Sequence, residues 1–207
     1  MNHLAHFLLC PADDDLRAGT LIADFARGND LCAFPPQVEL GIRLHRRIDA
    51  LVDSSPEVAG LKPLVEAPLR RYAGILFDVF FDYALIHTWH AFHAGERSAF
   101  GADVYSSLAR TEPAMPQTVR AVSQRMRQYD ALSSCASHEG CARTLTRIAM
   151  RLKRPVALGN GIGVLMRHET RVIDACATLY PALQRASTLY LEAAAAPSRA
   201  RPATALA

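Results

Sequence analysis

The sequence predicts an all-α protein folded as a single-domain, multi-helix bundle. Apolar residues recur at i, i+3 and i+4 positions from Leu16 to Leu191, which is the spacing of amphipathic helices. Strict alternation of apolar and polar residues, typical of half-buried strands, is hard to find. Half of the 207 residues are apolar, enough for one substantial core. We therefore expect one helical domain over residues 1–192 and a disordered tail over residues 193–207, which lack periodicity.

Proline, glycine and serine mark the predicted helix ends. Pro35-Pro36 fits the first turn of a helix that runs to about Val52. Ser54-Ser55-Pro56 ends that helix and starts another. After a break near residues 63–68, a long apolar helix runs to about His93. Further helices are predicted over residues 99–110, 116–133 and 139–153, and the last one ends near Glu192.

Composition and charge restrict the possible functions. The formal net charge is +3, and the basic residues are almost all arginine, with Lys62 and Lys153 the only lysines. Arginine binds carboxylates and phosphates bidentately, so the surface suits an acidic protein or a phosphorylated ligand, although a GC-rich genome produces the same bias.

No apolar stretch reaches the roughly 18 residues of a membrane helix. The first residues lack an export signal, so we expect a cytoplasmic protein that binds neither membranes nor nucleic acid.

The most informative segment is an apolar helix over residues 75–86, whose only charged side chains are Asp78 and Asp82. A helix that is apolar around its whole circumference belongs in the protein interior. The two aspartates stand at i and i+4, so they project from one face. Burying unpaired carboxylates is costly, so they should be protonated, paired with an arginine such as Arg71, or bound to a cation. A metal-binding or catalytic role is the interpretation we favour.

A second pair, His45 and Asp49, has the same i, i+4 spacing on the apolar face of its helix. Arg46 flanks this pair, where it could reach a ligand phosphate, while Arg43 and Arg47 point nearly opposite, towards solvent or a partner. A lone His–Asp pair is more often a satisfied hydrogen bond than a metal site. Two inward-facing pairs on separate helices favour a shared metal site.

Two further polar residues lie in apolar surroundings near the start of the chain. Asp24 falls in a short apolar helix that Gly28 could cap, and it could alternatively accept hydrogen bonds at a nearby helix end. His6 is flanked by apolar residues and should lie inside, where a packed core histidine is the ordinary alternative to a ligand. The candidate metal ligands are His6, Asp24, His45, Asp49, Asp78 and Asp82. Carboxylates and imidazoles without thiolate suit manganese, magnesium or iron, the cations of metal-assisted phosphoester hydrolysis.

An ordered series of motifs covers roughly residues 1–90 and resembles the bacterial acyl carrier protein phosphodiesterases; beyond that the likeness is faint. The motifs are Met1-Asn2-x-Leu4-Ala5-His6, Leu21-x-Ala23-Asp24-Phe25-x-Arg27-Gly28, Phe34-Pro35-Pro36, Gly41-Ile42-x-x-His45-Arg46-Arg47-Ile48-Asp49, Asp78-x-x-x-Asp82 and His87-x-Trp89. That family is similar to the HD-domain phosphohydrolases, so the resemblance implies an HD-domain-like fold and a metal-dependent reaction. Manganese is the usual cation there, with Mg²⁺ or Fe²⁺ as alternatives. As in the family, no adjacent His-Asp dipeptide occurs here.

The resemblance implies a phosphodiesterase of fatty acid and lipid metabolism that cleaves phosphopantetheine from a serine of holo acyl carrier protein, giving apo carrier protein and 4'-phosphopantetheine. The implied catalytic residues are Asp24, His45 and Asp49, with Arg46 on the phosphate. Carrier proteins are acidic, so the expected docking residues are Arg17, Arg43, Arg47 and Arg70. The alternatives are an HD-like phosphohydrolase acting on a nucleotide or another small phosphodiester, and a non-catalytic helical binding module.

Three histidines near the end of the long apolar helix receive lesser roles. His87 matches the family pattern, but an ideal helix points it about 180° away from Asp78, so we expect it to support packing. His90 and His93 have no match in the pattern and should lie on the surface.

Overall fold

In the computed structural model, which describes residues 2–196, every regular element is helical, as the sequence predicts. The α-helices of this part of the chain are α1 (His3–Leu8), α2 (Asp14–Ile22), α3 (Pro36–Asp53), α4 (Pro56–Leu61), α5 (Ala73–His87), α6 (Arg97–Thr111), α7 (Gln117–Gln128), α8 (His138–Ala149) and α9 (Ile162–Ala195). Short 3-10 turns cover Lys62–Leu64, Arg70–Tyr72, Trp89–Ala91, Glu112–Ala114, Ala131–Ser133 and Leu158–Gly161.

Most predicted helix ends agree with the structure because they depend on local chemistry. Pro36 opens α3 in its first turn, and the Ser55 hydroxyl accepts a hydrogen bond from the Val58 N–H at the start of α4. Three helices end before their predicted bounds. The long apolar helix α5 ends at His87 and gives way to a 3-10 turn, α7 stops before Asp130, whose φ of 43° is left-handed, and α8 ends at Ala149 instead of residue 153.

The predicted short helix around Asp24 is wrong. Helix α2 ends at Ile22, and Asp24 lies in the turn that follows, before Gly28 with its φ of +75°. At the other end of the chain, α9 continues through Ala195, three residues past the boundary predicted at 192. Residues 197–207 of the predicted tail lie outside the described residues.

The closest helix crossing in the site region joins α2 to α3 through two glycines. A Cβ placed on Gly19 would lie 2.1 Å from the Val38 carbonyl oxygen, and one on Gly41 would lie 2.2 Å from the Leu16 carbonyl oxygen. No side chain larger than hydrogen fits there, so the two backbones touch. This contact brings the chain that leaves α2 over the middle of α3, where His45 and Asp49 lie.

Helix α5 runs through the core and packs against α1, α8 and α9. Its Leu76, Phe77, Phe80 and Phe81 are almost completely buried, as expected for a helix that is apolar on all sides. None of the helices in the described part combines the length and apolarity that a membrane span requires.

Candidate metal centre

Helices α1 and α3 bring three polar side chains together in an otherwise apolar region. His6 extends from α1, and His45 and Asp49 extend from α3 one turn apart. Nε2 of His6 lies 3.0 Å from Oδ1 of Asp49, and Nε2 of His45 lies 3.2 Å from Oδ2 of the same carboxylate. The two imidazole rings stack in parallel with their centroids 3.7 Å apart. One carboxylate therefore faces two imidazole nitrogens, one on each oxygen.

His6 is buried, with 2% of its surface exposed, yet neither ring nitrogen has a well-formed hydrogen bond among residues 2–196. Nδ1 of His45 is also buried without such a partner. Buried polar atoms almost always have a hydrogen-bond partner or an ion, because leaving one unsatisfied costs about 1–3 kcal/mol. Nδ1 of both rings is therefore available to a further partner, while Nε2 of each ring faces Asp49.

The protonation states suit metal binding. Burial, together with the nearby His45, lowers the pKa of His6 to about 3, so its imidazole is neutral near pH 7 and keeps a free lone pair. Burial alone would raise the pKa of Asp49, but the contacts with His45 and His6 hold it below its ordinary value. The arrangement thus presents a neutral His6 imidazole and an ionised carboxylate, which are the forms that bind cations.

The ligand atoms of His6, His45 and Asp49 all lie within 4.8 Å of one another, which is the spacing of donors around one metal ion. Two nitrogens and a carboxylate oxygen, without thiolate, fit a first-row divalent cation such as manganese or iron. The donor set and the unpartnered nitrogens of His6 agree, and both fit a bound metal.

Asp24 lies on the solvent side of this cluster. Its Oδ1 is 3.5 Å from Nε2 of His45, its Oδ2 is 3.7 Å from Nδ1 of His3, and 41% of its side chain is exposed. The sequence analysis missed His3, although His3 and His6 are i and i+3 on one short helix and so share a side. Asp24 and His3 thus form the open side of the cluster, where a substrate would enter.

Asp82, predicted as a metal ligand, stands outside the group of converging ligand atoms, and its metal-ligand role stays a prediction. Its two carboxylate oxygens accept hydrogen bonds of 3.1 Å from the backbone N–H groups of Leu4 and Ala5. These N–H groups belong to the first turn of α1, where they have no partner within the helix. Asp82 therefore caps α1 from 77 residues away in the sequence and fixes the helix that carries His6.

Asp78 is partly buried and stands outside the group of converging ligand atoms. Burial raises its pKa, and the charges of Asp49 and Asp53 raise it further. Its predicted role as a metal ligand stays a prediction.

Arg46 lies beside the cluster, but its guanidinium is occupied. The terminal nitrogens donate hydrogen bonds of 2.8 Å each to the carbonyl oxygens of Ala26 and Gly28. These bonds hold the loop that follows Asp24, so Arg46 positions that loop, and its predicted contact with a phosphate stays a prediction.

The predicted docking arginines divide into three kinds. Arg17 is buried, with 3% of its side chain exposed, and pairs with Asp103 at 2.7 Å, so its prediction as a surface residue is wrong. Arg17 lies on the side of α2 that packs against α6, the helix that carries Asp103. Arg43 is exposed but pairs with Glu39 at 2.6 Å. Arg47 and Arg70 are exposed, as predicted.

The histidines after α5 lie apart from the cluster. Nε2 of His87 is 3.2 Å from the carbonyl oxygen of Ala136, and its ring packs 4.1 Å from that of Tyr83, which agrees with a packing role. His90 is exposed as predicted, whereas His93 is partly buried against Trp89.

A helical bundle with a partly buried His/Asp cluster of metal-ligand spacing defines the class: an all-α protein with one candidate divalent-metal centre in its described residues. A model of the family described as acyl carrier protein phosphodiesterase matches residues 1–183. The chain therefore belongs to the acyl carrier protein phosphodiesterase family.

Three curated relatives named acyl carrier protein phosphodiesterase come from Escherichia coli O9:H4 (strain HS), Escherichia coli (strain SMS-3-5 / SECEC) and Escherichia coli (strain SE11). Each is 44% identical over 89 residues, which is 43% of this chain and 46% of the relative. The chain thus matches about half the length of these relatives. No solved structure matches it.

Proposed function

We propose that this protein is a metal-dependent phosphodiesterase that hydrolyses the phosphopantetheine–serine phosphodiester of holo acyl carrier protein. The products are apo carrier protein and 4'-phosphopantetheine. The observation that carries the proposal is the convergence of His6, His45 and Asp49, whose ligand atoms all lie within 4.8 Å of one another. Family membership and the names of the relatives supply the substrate.

His6, His45 and Asp49 are the residues that would hold the cation, and Asp24 is close enough to His45 to join them. Manganese is our first choice, because it is the usual cation of the family and carboxylate oxygens suit it; Mg²⁺ and Fe²⁺ are the alternatives. When bound, such a cation supplies positive charge to the phosphoryl oxygens and makes a water more acidic.

The protein's own groups would divide the remaining work. The neutral His6 keeps a lone pair for the cation, while the ionised Asp49 contacts both rings and holds them in one orientation. Asp24, on the open side and 3.7 Å from His3, is placed to accept a proton from the attacking water. Arg46 keeps the loop after Asp24 in place through its two carbonyl contacts.

The direct test measures release of 4'-phosphopantetheine from holo acyl carrier protein by mass spectrometry, with and without added Mn²⁺. We expect turnover that depends on the cation and a protein product with the mass of apo carrier protein. Asp49→Asn, which keeps the side-chain volume but removes the charge, should lower kcat/KM at least about 100-fold, beyond the 10–100-fold typical of residues behind the ligands.

His90→Gln is the matched control, because His90 is exposed and outside the cluster. Full activity of Asp49→Asn, or a folded wild-type protein without any release of phosphopantetheine in Mn²⁺, would refute the proposal. A panel of nucleotides and cyclic nucleotides tests the rival phosphohydrolase: turnover of these compounds without turnover of the carrier protein would establish the rival.

We further propose a cytoplasmic location and an HD-domain-like arrangement of the helices. All five cysteines of the protein are free, which suits a reducing compartment.

A further inference from the structure

A basic cleft of about 320 Å³ opens between the 3-10 turn Arg70–Tyr72 and the segment that follows α8. It is lined by Arg71, Tyr72, Leu152, Lys153 and Arg154. Three of these five residues carry a positive charge and none is acidic. The cleft therefore attracts anions, and the cationic side chains are exposed to solvent.

The cations of this cleft are not neutralised by the protein. Within residues 2–196, no ion pair involves Arg71, Lys153 or Arg154, whereas Arg43 and Arg110 pair with acidic neighbours. The guanidinium of Arg71 lies 4.7 Å over the ring of Tyr72, a contact that orients the group and leaves its N–H donors available. Their positive charge is thus available to a partner.

The cleft and the candidate metal centre are connected through helix α5. Tyr72 lines the cleft and immediately precedes α5, so it stands six residues, roughly 9 Å of helix, from Asp78. Helix α5 packs against α1, the helix that carries His3 and His6. The cleft therefore lies at the start of a helix that also contacts the α1 side of the cluster.

We infer that this cleft docks an acidic surface of the protein substrate, next to the serine whose phosphodiester enters the metal centre. The inference rests on the proposed function. The cations sit on long exposed side chains from two separate segments, an arrangement that suits an extended anionic surface. A site for the phosphate alone would bring buried donors onto one point, as the His/Asp cluster does.

The cleft differs from the docking face predicted on α2 and α3. Arg17 is buried against Asp103 and Arg43 is paired with Glu39, so on that face only Arg47 is exposed without an ion pair among the described residues. The cleft carries three unbalanced cations, and such charges at the rim of an interface chiefly set the association rate and its salt dependence.

The test compares two double variants that change the net charge equally. Each replacement of Lys or Arg by Glu lowers the formal charge by two, so both doubles move from +3 to −1. Lys153→Glu/Arg154→Glu reverses the cleft, and Arg125→Glu/Arg171→Glu reverses two exposed arginines of α7 and α9 that lie outside it. Any general effect of protein charge is therefore shared by the two variants.

Two readouts are measured at low and at physiological salt. The first readout is kcat and KM for holo acyl carrier protein. The kcat/KM for bis-p-nitrophenyl phosphate, a small phosphodiester without a protein part, is measured beside them for comparison. The second is binding of fluorescently labelled apo carrier protein, followed by anisotropy. The cleft variant should raise KM and Kd for the carrier protein about tenfold at low salt and lose most of the wild-type salt dependence. The control should stay within about twofold of the wild type.

The possible failures are distinct. Wild-type protein that binds carrier protein but releases no phosphopantetheine would refute the proposed function and leave docking measurable. Cleft and control variants with equal KM and Kd would overturn the docking inference while activity stands. An equal loss of carrier protein and bis-p-nitrophenyl phosphate turnover in the cleft variant would also overturn it, because the cleft would then act on the phosphate itself.

Discussion

Helices α3 and α5 carry the same pattern, a pair of polar side chains four residues apart on an apolar face, yet the structure uses the two pairs differently. On α3, His45 and Asp49 both turn towards His6 and form a cluster of converging ligand atoms. On α5, Asp82 binds two backbone N–H groups of α1, while Asp78 stands outside that cluster. Identical spacing thus serves two purposes.

The difference shows that the partner across the helix interface decides the role of a buried carboxylate. On α3, the imidazoles of His6 and His45 offset the free-energy cost of burying the Asp49 carboxylate. On α5, the N–H groups at the start of α1 do the same for Asp82. The two solutions are connected, because Asp82 holds the start of α1 and His6 lies one residue beyond Ala5 on that helix.

The largest expected effect comes from the α3 pair. His45→Ala removes an imidazole that contacts both Asp49 and Asp24, so we expect metal content to fall to near zero and kcat/KM to fall at least about 100-fold. Metal content is measured by mass spectrometry of the purified protein and folding by circular dichroism. If His45→Ala protein is fully loaded with metal and active, the α3 pair does not bind the metal and does not differ in function from the α5 pair.

Two glycines, one on each helix, test how tightly the helices are packed. In Gly41→Ala on α3 the new Cβ would lie 2.2 Å from a backbone oxygen, so we expect a loss of about 2–3 kcal/mol in the free energy of unfolding. Gly74→Ala on α5 meets nothing within 4 Å and should be neutral or stabilise by up to about 1 kcal/mol. Urea unfolding of both variants measures the contrast, and equal stabilities would show that α2 does not constrain α3.

The next largest effect is expected when the helix cap that Asp82 of α5 provides for α1 is removed. Asp82→Ala leaves two buried N–H groups of α1 without a partner and should cost about 2 kcal/mol of stability. Because α1 carries His6, the apparent Kd for Mn²⁺ should rise as well. Isothermal titration and urea unfolding give the two values. A loss of stability with unchanged Mn²⁺ affinity would show that the cap on α1 does not influence metal binding at the α3 pair.

A smaller effect concerns pH. Burial raises the pKa of Asp82 to about 7, against the two N–H donors that favour its ionised form. The unfolded chain loses this proton near pH 4, so the folded state holds the extra proton between about pH 4 and 7. Stability from this group is therefore full below that window and declines as pH rises through it. Asp82→Asn should flatten the decline, and an unchanged slope from pH 4 to 7 would contradict the assignment.

Sequence patterns located most of the candidate site but not its partners. His6, Asp24, His45 and Asp49 were identified because polar residues in apolar segments are costly unless they are used. The burial of Asp82 could be predicted in the same way. Its partners could not, because the N–H groups of Leu4 and Ala5 carry no side-chain signal and lie 77 or more residues away.

The amino-acid sequence alone determined the helices and the inward direction of the polar pairs, since both follow from periodicity within a few residues. Only the tertiary structure decided which carboxylate faces imidazoles, which one caps α1, that Arg17 is buried, and that Arg71, Lys153 and Arg154 share a cleft. Such contacts depend on how whole helices cross, and the Gly19–Gly41 approach sets one of these crossings by backbone contact, which hydrophobic spacing does not encode.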